Sequence, residues 1–323
     1  MRAETNIDFM SVRKPLGFLS VVLVVASVVL LVTRGLNLGL DFTGGTLVEV
    51  GRDADITLED ARQALRAEGY GDAVVMHFGS AREMLVRVPP EVAEEAGDLD
   101  ADEADAEAAA QQQDEVGQRV FELLAAAIDD LELRRVEFVG PQVGDELRDQ
   151  SGLALLMAMG MMLLYVWFRF TNKFGVATVT ALFHDVIIVL GFFALVQMSF
   201  DLTVLAALLA IIGYSLNDTI VVADHIREDF RYSRMTEPDD IINQAINKTI
   251  ARTLVTSFTT LLVLISLYIF GGEMLRGFSA ALIAGVIVGT YSSIYVASNV
   301  LMLMRVDKED FRIPEPEELD EMP

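Results

Sequence analysis

Six apolar runs, each about 17 to 26 residues long, fix the class of this chain before any other feature is weighed. At about 1.5 Å of rise per residue, a helix of that length crosses the roughly 30 Å of hydrocarbon in a bilayer. In lipid, every backbone N–H and C=O must be bonded internally, and a helix does this within one segment. The runs are Leu16–Val32, Gly152–Phe168, Phe174–Met198, Leu202–Ala223, Thr253–Phe270 and Phe278–Leu303, and each is read as a transmembrane helix. Composition agrees: 53% of the 323 residues are hydrophobic, yet the formal net charge is −24. Apolar and acidic residues must therefore be segregated along the chain, and so acidic a protein is not expected to bind nucleic acid.

The first run follows Arg13 and Lys14, ends "LLVTRG" and lacks a small-x-small cleavage pattern, so it reads as an uncleaved anchor rather than a signal peptide. Lys and Arg in short loops set orientation. Arg13, Lys14, Arg169, Lys173, Arg227, Arg231, Arg234, Lys248, Arg252, Arg305 and Lys308 all fall on one side. The other side has no basic residue in Ser199–Asp201 and only Arg276 in Gly271–Gly277. Both termini are expected to be cytoplasmic.

That topology exports one soluble piece, residues 34–150. "TLVEV" (Thr46–Val50) alternates like a strand. "TLEDARQALRAEG" reads as a helix with Thr57 as N-cap, Asp60 at N3 and a stop at Gly69. Ala73–Phe78 and Glu83–Pro89 read as strands around the turn "GSAR", Val116–Ile128 as a second amphipathic helix and Leu133–Gly140 as a fourth strand. The order βαβ–βαβ predicts a ferredoxin-like α+β domain between helices 1 and 2 of a polytopic α-helical membrane protein. Residues 151–304 then carry helices 2 to 6 with a cytoplasmic loop at 224–252, and residues 305–323 form an acidic tail.

Glu91–Glu115 contains no basic residue and reads as a solvated acidic loop. The chain has no Cys, so no disulfide supports the exported domain. Scarce Lys and abundant acid suggest a salt-adapted surface, because concentrated salt screens self-repulsion.

The informative residues are polar ones inside apolar runs. Asp218 lies about five residues from the cytoplasmic end of the fourth run, a depth of roughly 8 Å. An acid at a helix centre costs about 3 kcal/mol on insertion scales. Ala206, Ala210, Gly213, Asn217 and Asp224 share one face of that helix, where small residues allow a close neighbour. Candidates for the neighbour are the third helix, with His184 and Asp185 near its midpoint, and the fifth, where Arg252, Thr256, Thr259 and Thr260 form a polar stripe. A buried acid, a cation and hydroxyls are the parts of a proton relay; they are equally the parts of a static pair that locks two helices. Residue types alone leave both readings open.

On the sixth helix Ala281, Gly285, Gly289, Ser293 and Ala297 form an i+4 stripe of small residues that predicts close helix packing. "TEPDDIINQAINKTI" reads as a cytoplasmic helix capped by Thr236, with Asp239 at N3. Its apolar face is Ile241, Ile242, Ala245, Ile246 and Ile250, laid against the bundle or the membrane surface.

"GLNLGLDFTGG" (Gly35–Gly45), "RRVEFVGPQVG" (Arg134–Gly144), "HDVIIVLG" (His184–Gly191), "IGYSLNDTIVVADHIRE" (Ile212–Glu228), "RTLVTSFTTLLV" (Arg252–Val263) and "SSIYVAS" (Ser292–Ser298) stand in that order. Together they resemble the SecF side of the SecD/SecF family of bacterial protein-export membrane proteins, within the resistance-nodulation-division superfamily. The resemblance implies an inner-membrane, multi-pass subunit with a SecD partner supplying six more helices. Such a complex uses the proton motive force to assist late translocation of unfolded polypeptide through the SecYEG channel, with YidC, YajC and membrane lipid as further contacts.

It also implies that Asp218 is the proton-path aspartate and Arg252 the arginine opening the next helix. Asn217, Asp185, His184, Thr256 and Thr260 complete the expected relay. The "LDFTGG" turn, with Asp41, Gly44 and Gly45, links the first helix to the first strand. No cofactor, metal or catalytic residue is implied. His225 stands where the resemblance expects Arg, and the acidic tract is longer than the family pattern.

Two other functions share some of these features. A small-molecule or lipid exporter of the same superfamily would use the same fold, but usually with larger exported domains. An intramembrane aspartyl protease could use Asp185 and Asp218, but the Gly-x-Gly-Asp pattern is absent. Because loop length enters closure entropy only logarithmically, deleting Ala96 to Gln113 is expected to leave the exported domain folded, as measured by protease resistance.

Overall fold

The computed structural model describes residues 6–90, 106–235 and 237–311. Helix α1 (Arg13–Thr33) is followed by a one-turn helix α2 (Leu40–Thr43) and strand β1 (Gly45–Gly51). Then come α3 (Leu58–Ala67), β2 (Val74–Phe78), β3 (Ser80–Val88), α4 (Ala106–Ala127) and β4 (Glu132–Val139). Five long helices complete the chain: α5 (Pro141–Arg169), α6 (Asn172–Val196), α7 (Leu202–Tyr232), α8 (Pro238–Phe270) and α9 (Glu273–Leu303). With α1, these are six helices long and apolar enough to cross a membrane.

The six helices differ in burial. Half or more of the apolar window is covered in α6, α7 and α9, but only 11–17% in α1, α5 and α8. The first three therefore form the core, around Phe193, Leu208, Ile211 and Ile212. The small-residue stripe on α9 is what permits this. Gly285 and Gly289 face α7 so closely that a Cβ would strike Ile211 at the first and lie 3.1 Å from Ser215 Cβ at the second.

The α+β domain has the expected topology. Its antiparallel sheet runs in the order β2-β3-β1-β4. Alternate residues of β1 and β3 (Val48, Val50, Met84, Val86, Val88) pack on Ala61 and Leu65 of α3. The same face receives Val116, Val120 and Leu124 of α4, spaced one helical turn apart.

Several expectations about this domain change. The turn between β2 and β3 is shorter than "GSAR": only Gly79, at φ +76°, separates strands that already pair at Phe78 and Ser80. Thr57 takes the N-cap position of α3, but its side chain makes no capping bond. Part of the acidic tract is ordered: α4 begins at Ala106, in an alanine-rich stretch with high helix propensity, while residues 91–105 lie outside the described residues. A deletion running to Gln113 would remove the start of α4, so the neutral deletion stops before Ala106.

The bundle ends also differ from expectation. No Gly or Pro follows Pro238 before Gly271, so the supposed separate cytoplasmic helix and the fifth span form one helix, α8. Likewise α7 continues to Tyr232, which leaves only residues 233–237 to turn within the expected loop 224–252. Ile241, Ile242, Ala245, Ile246 and Ile250 are buried in the bundle core and not on a lipid surface. The cap assigned to Thr236 lies outside the described residues, and Glu237 occupies the N-cap position. Residues 7–9 are strapped to this extension by Asn247, whose side chain bonds both Ile7 N (2.9 Å) and Ile7 O (2.8 Å), and by Asn243, which accepts from Phe9 N at 2.8 Å.

Basic residues gather at the end of the bundle opposite the domain. There Arg13 pairs with Asp239, Arg169 with Asp224, Lys173 with Asp310 and Lys248 with Asp229. They are four of the basic residues on which the expected orientation rests.

The domain is fastened through the segment after α1. Gly39 N donates to Phe200 O and Phe200 N to Asn37 O, both at 2.8 Å, a short parallel bridge to the α6–α7 turn. The Arg87 guanidinium, on β3, donates to the Leu38 carbonyl, and burial draws its pKa below the usual arginine value. Gly44 (φ +67°) and Gly45 (φ +110°) turn the chain into β1, and a Cβ on Gly45 would collide with the Val88 carbonyl. Gly45→Ala combines backbone strain of about 1–3 kcal/mol with that collision. It should lower the thermal midpoint of the domain and open the Val88–Pro90 segment to protease.

Candidate functional site

Asp218 sits on α7, only 5% exposed, and its Oδ2 has no hydrogen-bond partner. Leaving a carboxylate oxygen buried and unpaired is costly, so the position calls for an explanation. Arg252 of α8 lies within electrostatic reach. Among the described residues, however, the two make no bonded ion pair, so the arrangement is looser than a static lock between helices would require.

The rest of the expected set divides. Arg252, Thr256 and Thr259 are exposed on the outer face of α8, and Thr260 is half-buried. The threonine hydroxyls donate to carbonyls of their own helix (Thr256 to Arg252 O at 3.1 Å, Thr260 to Thr256 O at 2.9 Å). Asn217 is also exposed, with Ala206, Ala210 and Gly213, so that face of α7 meets neither α6 nor α8 as the spacing had suggested. Asp224, toward the C-terminal end of α7, pairs with Arg169. The small and polar faces of α7 and α8 thus lie open on the side of the chain where Asp218 and Arg252 approach each other.

His184 and Asp185 belong to a separate layer. Asp185 is fully buried, and its two oxygens accept from His184 Nδ1 (2.9 Å), Ser292 Oγ (2.7 Å) and Ser215 Oγ. His184 stacks at a tilt on Tyr291, 6.1 Å between ring centroids; the Tyr291 hydroxyl bonds Leu16 O and Ser20 Oγ. A second hydroxyl chain, Tyr214–Ser257–Thr290, joins α7, α8 and α9. Sequence reasoning passed over Ser257, Thr290 and Ser292 as site residues. Hydroxyls are common in packed transmembrane helices, and their partners here come from distant segments.

The "LDFTGG" turn serves the helix bundle directly. Asp41 Oδ2 accepts from Leu202 N at 2.9 Å, while Asp201 caps the same helix through Val204 N. Two carboxylates therefore face the start of α7, where free N–H groups and the helix dipole favour negative charge. Gly144 packs against the turn, a Cβ there lying 2.8 Å from Gly44 N, so the first two quoted motifs meet in space. Asp41→Ala removes one cap, worth about 0.5–2 kcal/mol. It should increase proteolysis at residues 34–44 without unfolding the sheet.

Comparison with known proteins places this geometry. Residues 119–307 match the family described as "Protein export membrane protein SecD/SecF, C-terminal", and residues 29–56 match the SecD/SecF GG motif. The chain is 46% identical to the protein translocase subunit SecF of Vibrio alginolyticus over 100% of this chain and 99% of that one. It is 44% identical to the subunit of the same name from Pseudomonas aeruginosa over 98% of each. A crystal structure of SecDF, a translocon-associated membrane protein from a Thermus species, is similar at a TM-score of 0.81 and 34% identity, covering 94% of this chain but 39% of that longer one. SecDF in a super-membrane-facing form is similar at 0.66 and 35%, with the same coverage.

Proposed function

The chain belongs to the SecD/SecF family of protein-export membrane proteins, and from that premise we propose that it is the SecF half of a complex in which the proton motive force assists protein translocation. It is a multi-pass bacterial membrane protein with six helices. In this reading a SecD chain supplies the other six and covers the open faces of α7 and α8. The complex acts on unfolded polypeptide at the SecYEG channel, in contact with lipid, and YidC and YajC are further partners. Both termini are cytoplasmic, as the clustered Arg and Lys argue, and the α+β domain is exported.

The observation that carries the reading is the unpaired buried oxygen of Asp218 beside Arg252. Asp229 also leaves one buried oxygen unpartnered, but its other oxygen pairs with Lys248, and both oxygens of Asp185 are filled, whereas Asp218 makes no ion pair among the described residues. Binding a proton removes the charge on Asp218 and with it the attraction to Arg252, so α7 and α8 can shift against each other. One charge moving through the membrane potential is worth about 2.3 kcal/mol per 100 mV, enough to bias a two-state rearrangement more than tenfold. The domain, fastened through Asp41 to the start of α7 and through Arg87 to the Leu38 carbonyl, would move with α7. Asn217 and the α8 threonines, facing the partner, line the route by which a hydrated proton reaches Asp218. The rival exporter of the same superfamily would share Asp218 and Arg252, and differs in what it moves and in its usually larger exported domains.

Asp218→Asn keeps size and hydrogen bonding but cannot change charge. The complex should assemble normally and lose gradient-dependent stimulation of precursor export in vesicles, and Arg252→Met should do the same. Full stimulation retained in Asp218→Asn would assign this carboxylate to the architecture.

A further inference from the structure

The second buried acid is bonded in a different way. Asp218 leaves an oxygen empty, whereas Asp185, at 0% exposure, receives three donors from three helices: His184 of its own α6, Ser215 of α7 and Ser292 of α9. Ser215 stands one turn from Asp218 on α7, and it is also the residue that Gly289 of α9 approaches most closely. Ser292 Oγ also lies 3.1 Å from Gly289 O, a second acceptor for its single hydrogen, so the node is seated at the Gly285–Gly289 crossing of α7 and α9. Through the His184–Tyr291 contact it reaches α1 at Leu16 and Ser20.

We propose that Asp185 is a positioning residue: it ties α6, α7 and α9 at one layer, sets the rotation of α7 and so aims Asp218 toward Arg252, and it carries no proton itself. This rests on the proton-carrying reading of Asp218 given above. The chemistry of the node separates the two acids. Nothing in three donated hydrogen bonds requires the second oxygen to be an anion, because an amide oxygen accepts from His184 and the two serine hydroxyls can each turn to accept from an amide N–H. Asn therefore satisfies the same three partners, whereas Leu takes the shared acceptor from the Ser215 hydroxyl and the imidazole N–H and leaves Ser292 only the Gly289 carbonyl.

The charged groups that face Asp218 are few, so its titration reports its position. Arg252 of α8 acts on it directly, and His184 and Asp185 of α6 are joined to the neighbouring turn of α7 through Ser215. Helix α9 has no charged residue between Arg276 and Arg305, and α5 has none between Asp149 and Arg169.

The test uses the full chain co-expressed with its SecD partner in inner-membrane vesicles. Gradient-stimulated export is measured together with the pH profile of dicyclohexylcarbodiimide labelling, the labelled residue being mapped by mass spectrometry. Label should fall on Asp218 and not on Asp185. Asp185→Asn should keep stimulation within about twofold of the unsubstituted protein, because the hydrogen bonds and not the charge are needed. Asp185→Leu should lose it, along with thermal stability. The double change Ser215→Ala, Ser292→Ala keeps Asp185 in place but loosens α7, and should move the Asp218 labelling midpoint by about half a pH unit or more.

Label on Asp185 overturns the proposal. So does a normally assembled Asp185→Asn complex as inactive as Asp218→Asn, or a double serine variant with an unmoved midpoint. Failure of the underlying reading has a different signature, in which Asp218 is unlabelled and Asp218→Asn is silent.

Discussion

Where α9 crosses α7, the absence of two Cβ atoms, at Gly285 and Gly289, brings the backbones together, and the polar chemistry of the bundle is arranged around that crossing. Lipid offers no hydrophobic drive for helices to associate, so contact distance and hydrogen bonds decide the packing. A Cβ at Gly285 would strike Ile211, and one at Gly289 would crowd Ser215. With the helices at that distance Ser215 and Ser292 both reach Asp185, and the node they form fixes which face of α7 is turned inward. The opposite face, with Asn217 and the small residues, is left open.

The same crossing divides two acids that look alike in composition. Asp185 is surrounded by donors and has the character of a structural group, stable because its acceptors are filled. Asp218, one turn along α7 from the node, is buried with an oxygen unfilled. A protein holds such an unsatisfied group where the cost is part of a function, and a carboxyl that exchanges a proton is the function those residues serve best.

The connection to the α+β domain is equally direct. Asp41 joins the start of α7, the Leu38–Phe200 bridge joins the α6–α7 turn, and Arg87 holds the sheet to the same segment through the Leu38 carbonyl. In the proposed mechanism a shift of α7 would be transmitted at its first residues, through backbone hydrogen bonds and a carboxylate. The Gly44–Gly45 turn and Gly144 let these parts approach within contact distance.

Local pattern sufficed for the elements of the fold. Run length gave the six spans, because hydrocarbon thickness sets helix length. Alternation and helical spacing gave the four strands and two helices of the domain, because burial on one face imposes a period. The expectation that Arg252 lies near Asp218 rested on the motif resemblance together with the intolerance of lipid for charge. Tertiary structure decided what no single segment contains. One example is the continuity of Ile241–Ile250 with the fifth span, which follows from the absence of a helix breaker and from burial in the bundle core. Another is the fate of His184 and Asp185, which depends on hydroxyls 30 and 107 residues away in sequence from Asp185. Asp41 as a cap on α7, 161 residues distant, is a third. Hydrogen-bond partners across helices are chosen by the distance at which backbones settle, and that distance exists only once the chain has packed.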